Sequence, residues 1–293
     1  MIELRGVSVR YGRTVAVDHV DLHLPANTIY GLLGRNGSGK TSLLSVLASY
    51  RRPATGTVLI DGEEAFENPR LTRRTTFIRD TLDLSDSDRV RTAFDVAGLL
   101  RPDWDAEYAG KLLDMFEIAP RKRVSALSRG QKSMVGVTLG LASRAPLTIL
   151  DESYLGMDAV ARTLFYRELL ADYLAHPRTI VLSTHLIEEV AELFERVIIM
   201  DRGRVLLHDE TDALRGRGVT VTGPAARVTA FAAGHTVLGE QSLGGVRALT
   251  LDGPLDPDDV ARGERDGLSF GPLGIQDLFV HLTSQAQPLE ASR

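Results

Sequence analysis

Apolar residues in the first two thirds of the chain follow two different patterns. Residues 2–10 and 15–24 alternate apolar and polar positions, which predicts half-buried strands. Uninterrupted apolar runs predict strands that are buried on both faces, and they cover residues 28–33, 147–150 and 179–182. The combination predicts an α/β fold with a mostly parallel central sheet and an N-terminal antiparallel β subdomain.

Helical spacing of apolar residues dominates two longer stretches. One extends from about residue 83 to 143, with a helix start at residues 102–105. The other extends from residue 159 to 174, and a shorter helix is predicted over 188–195. We interpret the first stretch as a helical subdomain.

The pattern changes after residues 215–218, whose sequence Arg-Gly-Arg-Gly predicts a linker. Shorter elements follow, with strands predicted at 219–222, 236–241 and 246–251 and helices predicted at 225–233 and from Asp256 onward. An apolar stripe predicts a last helix, and it consists of Ile275, Leu278, Phe279 and Leu282. We therefore divide the chain into a domain at 1–215 and a small α+β domain at 219–293, which carries no recognisable catalytic constellation.

Residues 34–41 read Gly-Arg-Asn-Gly-Ser-Gly-Lys-Thr and fit G-x-x-x-x-G-K-[ST], the phosphate-binding P-loop. The motif stands between the buried strand at 28–33 and a predicted helix at 41–49. Its glycines leave backbone N–H groups free to point at phosphate oxygens, while Lys40 adds a charge and Thr41 offers a hydroxyl to Mg²⁺. The predicted nucleotide contacts are Gly34, Arg35, Asn36, Gly37, Ser38, Gly39, Lys40, Thr41 and Ser42.

Two carboxylates follow the buried strand at 147–150. Asp151 ends this strand and can reach Mg²⁺ through water, and Glu152 can orient and deprotonate an attacking water. Adjacent acidic residues are common on surfaces, so the pair gains its meaning from the P-loop upstream. Together, the P-loop and the carboxylates predict nucleotide hydrolysis.

Three further features are weak when each is taken alone. Ser128 and Gly130, in the run Leu-Ser-Arg-Gly-Gln, offer a hydroxyl and a backbone N–H at a helix N-terminus. His185 follows the strand at 179–182, at the end where parallel sheets bind ligands, and Tyr11 lies upstream of the P-loop. The alternative interpretations are a plain helix cap, a structural histidine and a core aromatic residue.

Taken together, and in the order in which they stand along the chain, these motifs resemble those of ATP-binding cassette (ABC) ATPases. The resemblance covers roughly residues 1–215, and the small C-terminal domain makes the whole chain similar to ATPases that are paired with ABC-2-type permeases, among them the YtrB-like group. It implies that ATP and Mg²⁺ are the cofactors and that ATP hydrolysis is coupled to transport.

The resemblance also implies a role for individual residues. The catalytic residues are Lys40, Glu152 and His185, and the residue that stacks on adenine is Tyr11. The residues that reach the ATP of an opposing subunit are Ser128, Gly130, Gln131 and Asp158. The Mg²⁺ ligands are Thr41, Asp80 and Asp151.

Three positions depart from the family pattern. Asp80 stands where the family usually has Gln, and its side chain is one methylene shorter, although it still offers a hard oxygen to Mg²⁺. Arg129 replaces a glycine of the signature, and Ser153 replaces a proline whose fixed φ would stiffen the following loop. None of the three changes removes a catalytic group, so we expect a slow but active enzyme.

The amino-acid composition limits which partners and which chemistry the chain can have. The chain is 43% hydrophobic and 25% charged, and its net charge of −5 gives no general attraction to nucleic acid, which we do not expect as a partner. The lack of cysteine excludes disulfides and thiolate catalysis. No apolar run reaches the ~18–20 residues that span a bilayer, so any membrane-spanning part belongs to another chain.

We therefore expect a cytoplasmic protein, peripheral on the inner face of the cell membrane, that partners an integral membrane permease subunit. One P-loop and one signature per chain imply a homodimer or a heterodimer with a related ATP-binding subunit. Two alternatives are a soluble ABC ATPase that acts on ribosomes or DNA and a regulatory cassette that does not hydrolyse ATP. The single cassette and the lack of sustained heptads disfavour the first, and the intact Glu152 disfavours the second, which Asp80 keeps open.

Overall fold

The structure is a computed structural model that describes residues 1–81 and 84–285. The predicted limits at residues 83 and 293 lie outside the described residues. The chain begins with β1 (Ile2–Tyr11), β2 (Thr14–Leu24), β3 (Ile29–Gly34), α1 (Lys40–Leu47), β4 (Thr55–Ile60), β5 (Glu63–Glu64), α2 (Pro69–Arg73) and β6 (Thr75–Arg79). It continues with α3 (Val90–Leu100), α4 (Ala106–Met115), α5 (Arg129–Ala142), β7 (Leu147–Asp151), α6 (Ala159–Ala175), β8 (Thr179–Thr184), α7 (Ile187–Val190), β9 (Arg196–Asp201), β10 (Arg204–Glu210) and α8 (Thr211–Arg215).

The central sheet is mostly parallel, which confirms the predicted fold class. Its strand order is β10-β9-β3-β8-β7-β6, and every neighbouring pair except the β9–β10 hairpin is parallel. All residues of β3, β7 and β8 are buried, because both faces of the sheet are covered. In β8, Ile180 and Leu182 join the core with α5 and α6, whereas Val181 joins the core with α1 and β1.

The N-terminal strands form the predicted antiparallel sheet, with the order β2-β1-β4-β5. Alternate residues of β1 point into the core that is shared with α1, so this sheet lies against the helix that follows the P-loop. The β1–β2 turn consequently brings Tyr11 to the edge of the phosphate-binding loop.

The helical subdomain comprises α3, α4 and α5 within the described residues. The predicted start at residues 102–105 is confirmed, because the Asp105 carboxylate accepts a 2.9 Å hydrogen bond from the backbone N–H of Tyr108. The helix predicted over 188–195 is shorter than expected. It consists of α7 and a 3-10 turn at 191–193, because the Glu195 backbone bonds to Ile29 and Thr211 at the entry to β9.

The C-terminal part contains β11 (Gly218–Pro224), α9 (Ala225–Phe231), β12 (Val237–Leu243), β13 (Val246–Asp252), α10 (Pro257–Arg265), β14 (Ser269–Pro272) and α11 (Ile275–Gln285). Its antiparallel sheet has the order β12-β13-β11-β14, so the first six elements form a split β-α-β unit of the ferredoxin-like kind. Strand β14 was not predicted, because its four residues show no clear alternation. The predicted linker is also shorter than expected, since only residues 216–217 separate α8 from β11.

Helix α11 connects this C-terminal part to the rest of the molecule. Its residues Ile275 and Leu278 are buried in the same core as Ile187 and Val190 of α7. The Asp277 carboxylate accepts a 2.8 Å hydrogen bond from the Thr250 hydroxyl, which ties α11 to β13 as well. Because α11 packs against the first part of the chain, the division into two domains at 215–219 stays a prediction.

Candidate nucleotide site

The loop between β3 and α1 has the backbone form that phosphate binding requires. Gly37 and Gly39 have φ values of 81° and 103°, in the region that favours glycine. A Cβ on Gly39 would lie 2.2 Å from the carbonyl oxygen of Ala16, so no other residue fits there without movement. Ser38 is buried, and its hydroxyl has no hydrogen-bond partner among the described residues.

Lys40 is held inside this loop. Its side chain is 5% exposed, and its ammonium donates hydrogen bonds to the carbonyl oxygens of Gly34 at 2.7 Å and Arg35 at 3.3 Å. A carboxylate oxygen of Glu152 lies 3.3 Å away. The charge of Lys40 is thus already positioned in the cleft, with partners that a phosphate can replace.

Burial perturbs the carboxyl of Asp151. It is 4% exposed at the end of β7, and burial raises the pKa of its carboxyl although Ser183 and Thr41 donate hydrogen bonds to it. A buried carboxylate of this kind favours a bound cation, which would compensate its charge.

The backbone at Glu152 turns sharply. Its φ of 47° is uncommon for a residue other than glycine, and its N–H donates a 3.0 Å hydrogen bond to the Ser183 hydroxyl. This turn aims the side chain at the cleft, where it lies between Lys40 and the Nδ1 atom of His185, which is 3.5 Å away. Functional backbone outliers of this type often occur at active sites.

His185 is exposed just beyond the end of β8. The Tyr154 hydroxyl bonds to the Thr184 hydroxyl at 2.7 Å and accepts the backbone N–H of His185 at 3.4 Å, which anchors the residue. Neither Tyr154 nor Ser183 was predicted as a functional residue. Only their positions in the sequence could have indicated them, since Tyr154 stands shortly after β7 and Ser183 stands near the end of β8.

These groups line a cleft of about 520 Å³ at the carboxyl edge of the sheet. Its walls are Tyr11, Ala16, Asn36, Gly37, Ser38, Gly39, Lys40, Thr41, Ser42, Asp80, Asp151 and Glu152. Asp80 is exposed on the wall near Asp151, so the predicted Mg²⁺ donors Thr41, Asp80 and Asp151 all face one space. Hydroxyl and carboxylate oxygens are the ligands that Mg²⁺ prefers, and it commonly takes its remaining ligands from phosphates and water.

The signature residues lie outside this cleft. Ser128 begins α5 and forms a capping box with Gln131, each side chain bonding the other residue's backbone N–H at 3.2 Å. A Cβ on Gly130 would lie 2.5 Å from the carbonyl oxygen of Gly156, so the signature packs on the following loop. Asp158 caps α6 by accepting the N–H of Ala161 at 2.8 Å. Within one chain, these residues do not meet the P-loop.

The fold and the cleft together define a P-loop nucleotide hydrolase. The model of the ABC transporter family matches residues 17–154. The Nod factor export ATP-binding protein I of Paraburkholderia xenovorans (strain LB400) is 32% identical over 219 residues, which are 73% of this chain and 72% of that protein. The ATP-binding protein YtrB of Bacillus subtilis (strain 168) is 29% identical over 197 residues, 67% of this chain and 68% of that protein. The chain belongs to the ATP-binding subunits of the ABC transporter family and is an ATPase.

The fold agrees with solved cassettes. A dimeric post-hydrolysis state of the ATP-binding cassette MJ0796, bound to ADP and Pi, matches with a TM-score of 0.64 at 22% identity, over 72% of this chain and 99% of that chain. Other matching proteins are named as import subunits, for sulfate or thiosulfate and for aliphatic sulfonates. The matches therefore include both directions of transport.

Proposed function

We propose that this chain powers a separate membrane permease, of the ABC-2 export type, through ATP-driven closure of a head-to-tail dimer. The observation that carries the proposal is the position of the Glu152 carboxylate, 3.3 Å from the Lys40 ammonium and 3.5 Å from His185 at the P-loop cleft. A carboxylate between a phosphate-binding cation and an imidazole suits phosphoryl transfer to water.

Each of the three side chains has a distinct task. Lys40 exchanges its carbonyl partners for the β- and γ-phosphates, and Glu152 accepts the proton of the attacking water. Because the Nδ1 atom of His185 faces Glu152, its Nε2 atom is the ring nitrogen left to face a γ-phosphate oxygen, and it donates a hydrogen bond there when the imidazole carries both protons. Bound Mg²⁺, held by Thr41, Asp80 and Asp151, would neutralise charge on the phosphates.

The dimer follows from the distribution of the remaining groups. The signature residues Ser128 and Gly130 lie away from the cleft of their own chain, at the N-terminus of α5 where the helix dipole favours an anion. A second copy or a related ATP-binding subunit, turned head to tail, brings this corner onto the γ-phosphate. Asp158 then lies at the same interface.

Helix α3 offers the surface for the permease. Leu99 is 80% exposed, and Val96 and Leu100 next to it are also exposed, so these three residues form an apolar patch on the helical subdomain. No helix in the described ranges is long and apolar enough to cross a bilayer. We therefore assign the membrane-spanning role to a partner and the chain itself to the inner face of the membrane.

The catalytic assignment is tested with Glu152→Gln. Removing the base while keeping the shape should reduce ATP turnover by about 10²–10⁴-fold and trap an ATP-bound dimer, as measured by phosphate release and by light scattering. Glu107→Gln is the matched control, since Glu107 is exposed and forms an ion pair with Lys111. Undiminished turnover in Glu152→Gln would remove Glu152 from the mechanism.

The permease assignment needs its own experiment. Tagged protein is purified from gently solubilised native cells, and co-purifying chains are identified by mass spectrometry. Leu99→Glu should lose a polytopic membrane protein that the unchanged chain retains, whereas Leu174→Glu, at a 70% exposed leucine of α6, should keep it. Recovery of ribosomal proteins or DNA without a membrane protein contradicts the transporter assignment.

A further inference from the structure

Arg51 lies directly over the ring of Tyr11. The carbon of its guanidinium is 3.9 Å from the ring centroid, which is the geometry of a cation–π contact. Its Nη2 atom also donates a 2.8 Å hydrogen bond to the carbonyl oxygen of Arg10. The guanidinium is therefore fixed to the backbone next to Tyr11 and to the ring at the same time.

The ring itself has little other support. Tyr11 is 46% exposed, and its hydroxyl has one contact at the limit of hydrogen-bond length, 3.5 Å from the Ser42 hydroxyl. Gly12, which follows it, has a φ of 59° in the tight β1–β2 turn and contributes no side chain. An exposed aromatic ring at a turn would lose rotational freedom when a ligand stacks on it.

Arg51 covers the Tyr11 ring without lining the nucleotide cleft. Tyr11 lines the cleft together with Ser42 and Thr41, whereas Arg51 does not line it. Because the guanidinium occupies one face of the ring, a flat ligand in the cleft can stack only on the opposite face. Arginine is suited to this task because its planar group stacks on an aromatic ring while its N–H groups bond elsewhere.

We propose that Arg51 is a positioning residue that holds the Tyr11 ring ready to stack on the base of the bound nucleotide. The inference rests on the proposed nucleotide site in this cleft. Arg51 does not touch the nucleotide and acts through Tyr11. Its effect is therefore confined to ligands that carry a base, which separates it from a general attraction between a positive charge and phosphate.

The test compares two ligands that differ in the base. Dissociation constants of MgADP and of magnesium tripolyphosphate are measured by titration calorimetry with the full chain. Arg51→Ala should weaken MgADP about two- to tenfold, the cost of ordering one side chain, and should leave tripolyphosphate unchanged. In turnover assays, the loss should appear in the KM for ATP rather than in kcat.

Arg52→Ala is the matched control for charge. Arg52 is the next residue, and its guanidinium lies 5.6 Å from the ring of Phe66 instead of Tyr11. It should leave both ligands unaffected. Arg51→Lys should restore only part of the MgADP affinity, because an ammonium lacks the planar stacking group. Arg51→Ala should add nothing further in a Tyr11→Ala chain, since the two residues act as a unit.

Three results would overturn the proposal while leaving the proposed site intact. These are equal weakening of MgADP and tripolyphosphate, an unchanged MgADP affinity in Arg51→Ala, and additive losses in the double variant. A failure of the proposed site itself looks different, because MgADP would then bind equally well to chains with and without Lys40.

Discussion

Two regions of the molecule carry groups suited to binding phosphate: the P-loop cleft and the signature corner, which is formed by Ser128 and Gly130 at the start of α5. The two regions differ in how these groups are held. In the cleft, Lys40 is buried and already paired with two carbonyl oxygens and with Glu152. At the signature corner, Ser128 is exposed and its hydroxyl caps its own helix by accepting the backbone N–H of Gln131. The cleft is therefore preorganised within one chain, whereas the signature corner is shaped by packing but faces solvent.

This difference separates nucleotide binding in the cleft from the dimer-dependent step that needs the signature corner. A single turnover number does not distinguish the two. The cleft has what it needs to hold a nucleotide in a single chain, because its cation, hydroxyl and carboxylates converge without a partner. The signature corner can contribute only when another subunit supplies the phosphate. Variants in the two regions should therefore differ in which step they impair, and the following experiments are ordered by expected effect.

The largest effect is expected for Lys40→Ala. The substitution removes the buried cation and leaves the Glu152 carboxylate without its partner, so MgATP affinity should fall on the order of 100-fold and turnover should be lost. Titration calorimetry on the monomer measures the binding step. Lys111→Ala, at an exposed lysine of α4, should bind normally. Tight binding by Lys40→Ala would mean that the cleft is not the nucleotide site.

Gly130→Ala should impair the second step only. Its new Cβ would press on the carbonyl oxygen of Gly156 at 2.5 Å, so the signature has to move, while the P-loop is untouched. We expect turnover and ATP-driven dimerisation to fall about tenfold or more with unchanged binding of ADP to the monomer.

Gly110→Ala provides the matched glycine control. It lies within α4, where an added Cβ meets nothing within 4 Å, so alanine should stabilise the helix by about 0.5–1 kcal/mol and leave turnover unchanged. If Gly130→Ala weakened ADP binding as much as dimerisation, the separation of the two regions would be wrong.

Asp80→Gln should have a smaller effect and would sharpen the picture of the cleft. The longer amide restores the residue that the family usually has and removes one negative charge from a wall that already contains Asp151 and Glu152. We expect a rise in turnover of about two- to fivefold at saturating Mg²⁺, within the range of a single improved contact. Steady-state kinetics measures it, and a loss of activity would make Asp80 a required ligand of this particular chain.

The sequence predicts the cleft better than the surroundings that tune it. The P-loop and the residues after β7 and β8 were found because buried parallel strands and their carboxyl ends are visible as apolar runs that end in polar residues. Ser183 and Arg51 could not be found in this way. The first acts through hydrogen bonds to Asp151 and Glu152 from a neighbouring strand, and the second contacts a residue 40 positions away in the chain.

The C-terminal part was harder to predict for a different reason. Its elements are short, and β14 takes its place through pairing with β11 rather than through its own residues. The link between α11 and α7 was not predicted either, because a stripe such as Ile275 and Leu278 indicates a buried face without indicating what covers it. Tertiary contacts decide both features.

The smallest expected effect concerns the cost of keeping Asp151 buried. Its carboxyl has a raised pKa because burial disfavours the charged form, so the ionised group destabilises the nucleotide-free protein near neutral pH. Asp151→Asn should therefore raise the melting temperature without nucleotide, by roughly 2–4 °C for each ~1 kcal/mol.

The gain in melting temperature from Asp151→Asn should depend on pH. A carboxyl with a raised pKa binds its proton more readily in the folded state, so its contribution to stability is present in acid and is lost as pH rises through the folded pKa. The advantage of Asp151→Asn over the unchanged chain should accordingly be largest near pH 7 and shrink towards pH ~4. Asp86→Asn, at an exposed aspartate near the signature helix, is the control for removing one surface carboxylate. A lower melting temperature for Asp151→Asn would mean that the hydrogen bond from Ser183 outweighs burial. The ionised Asp151 carboxylate would then not destabilise the nucleotide-free protein.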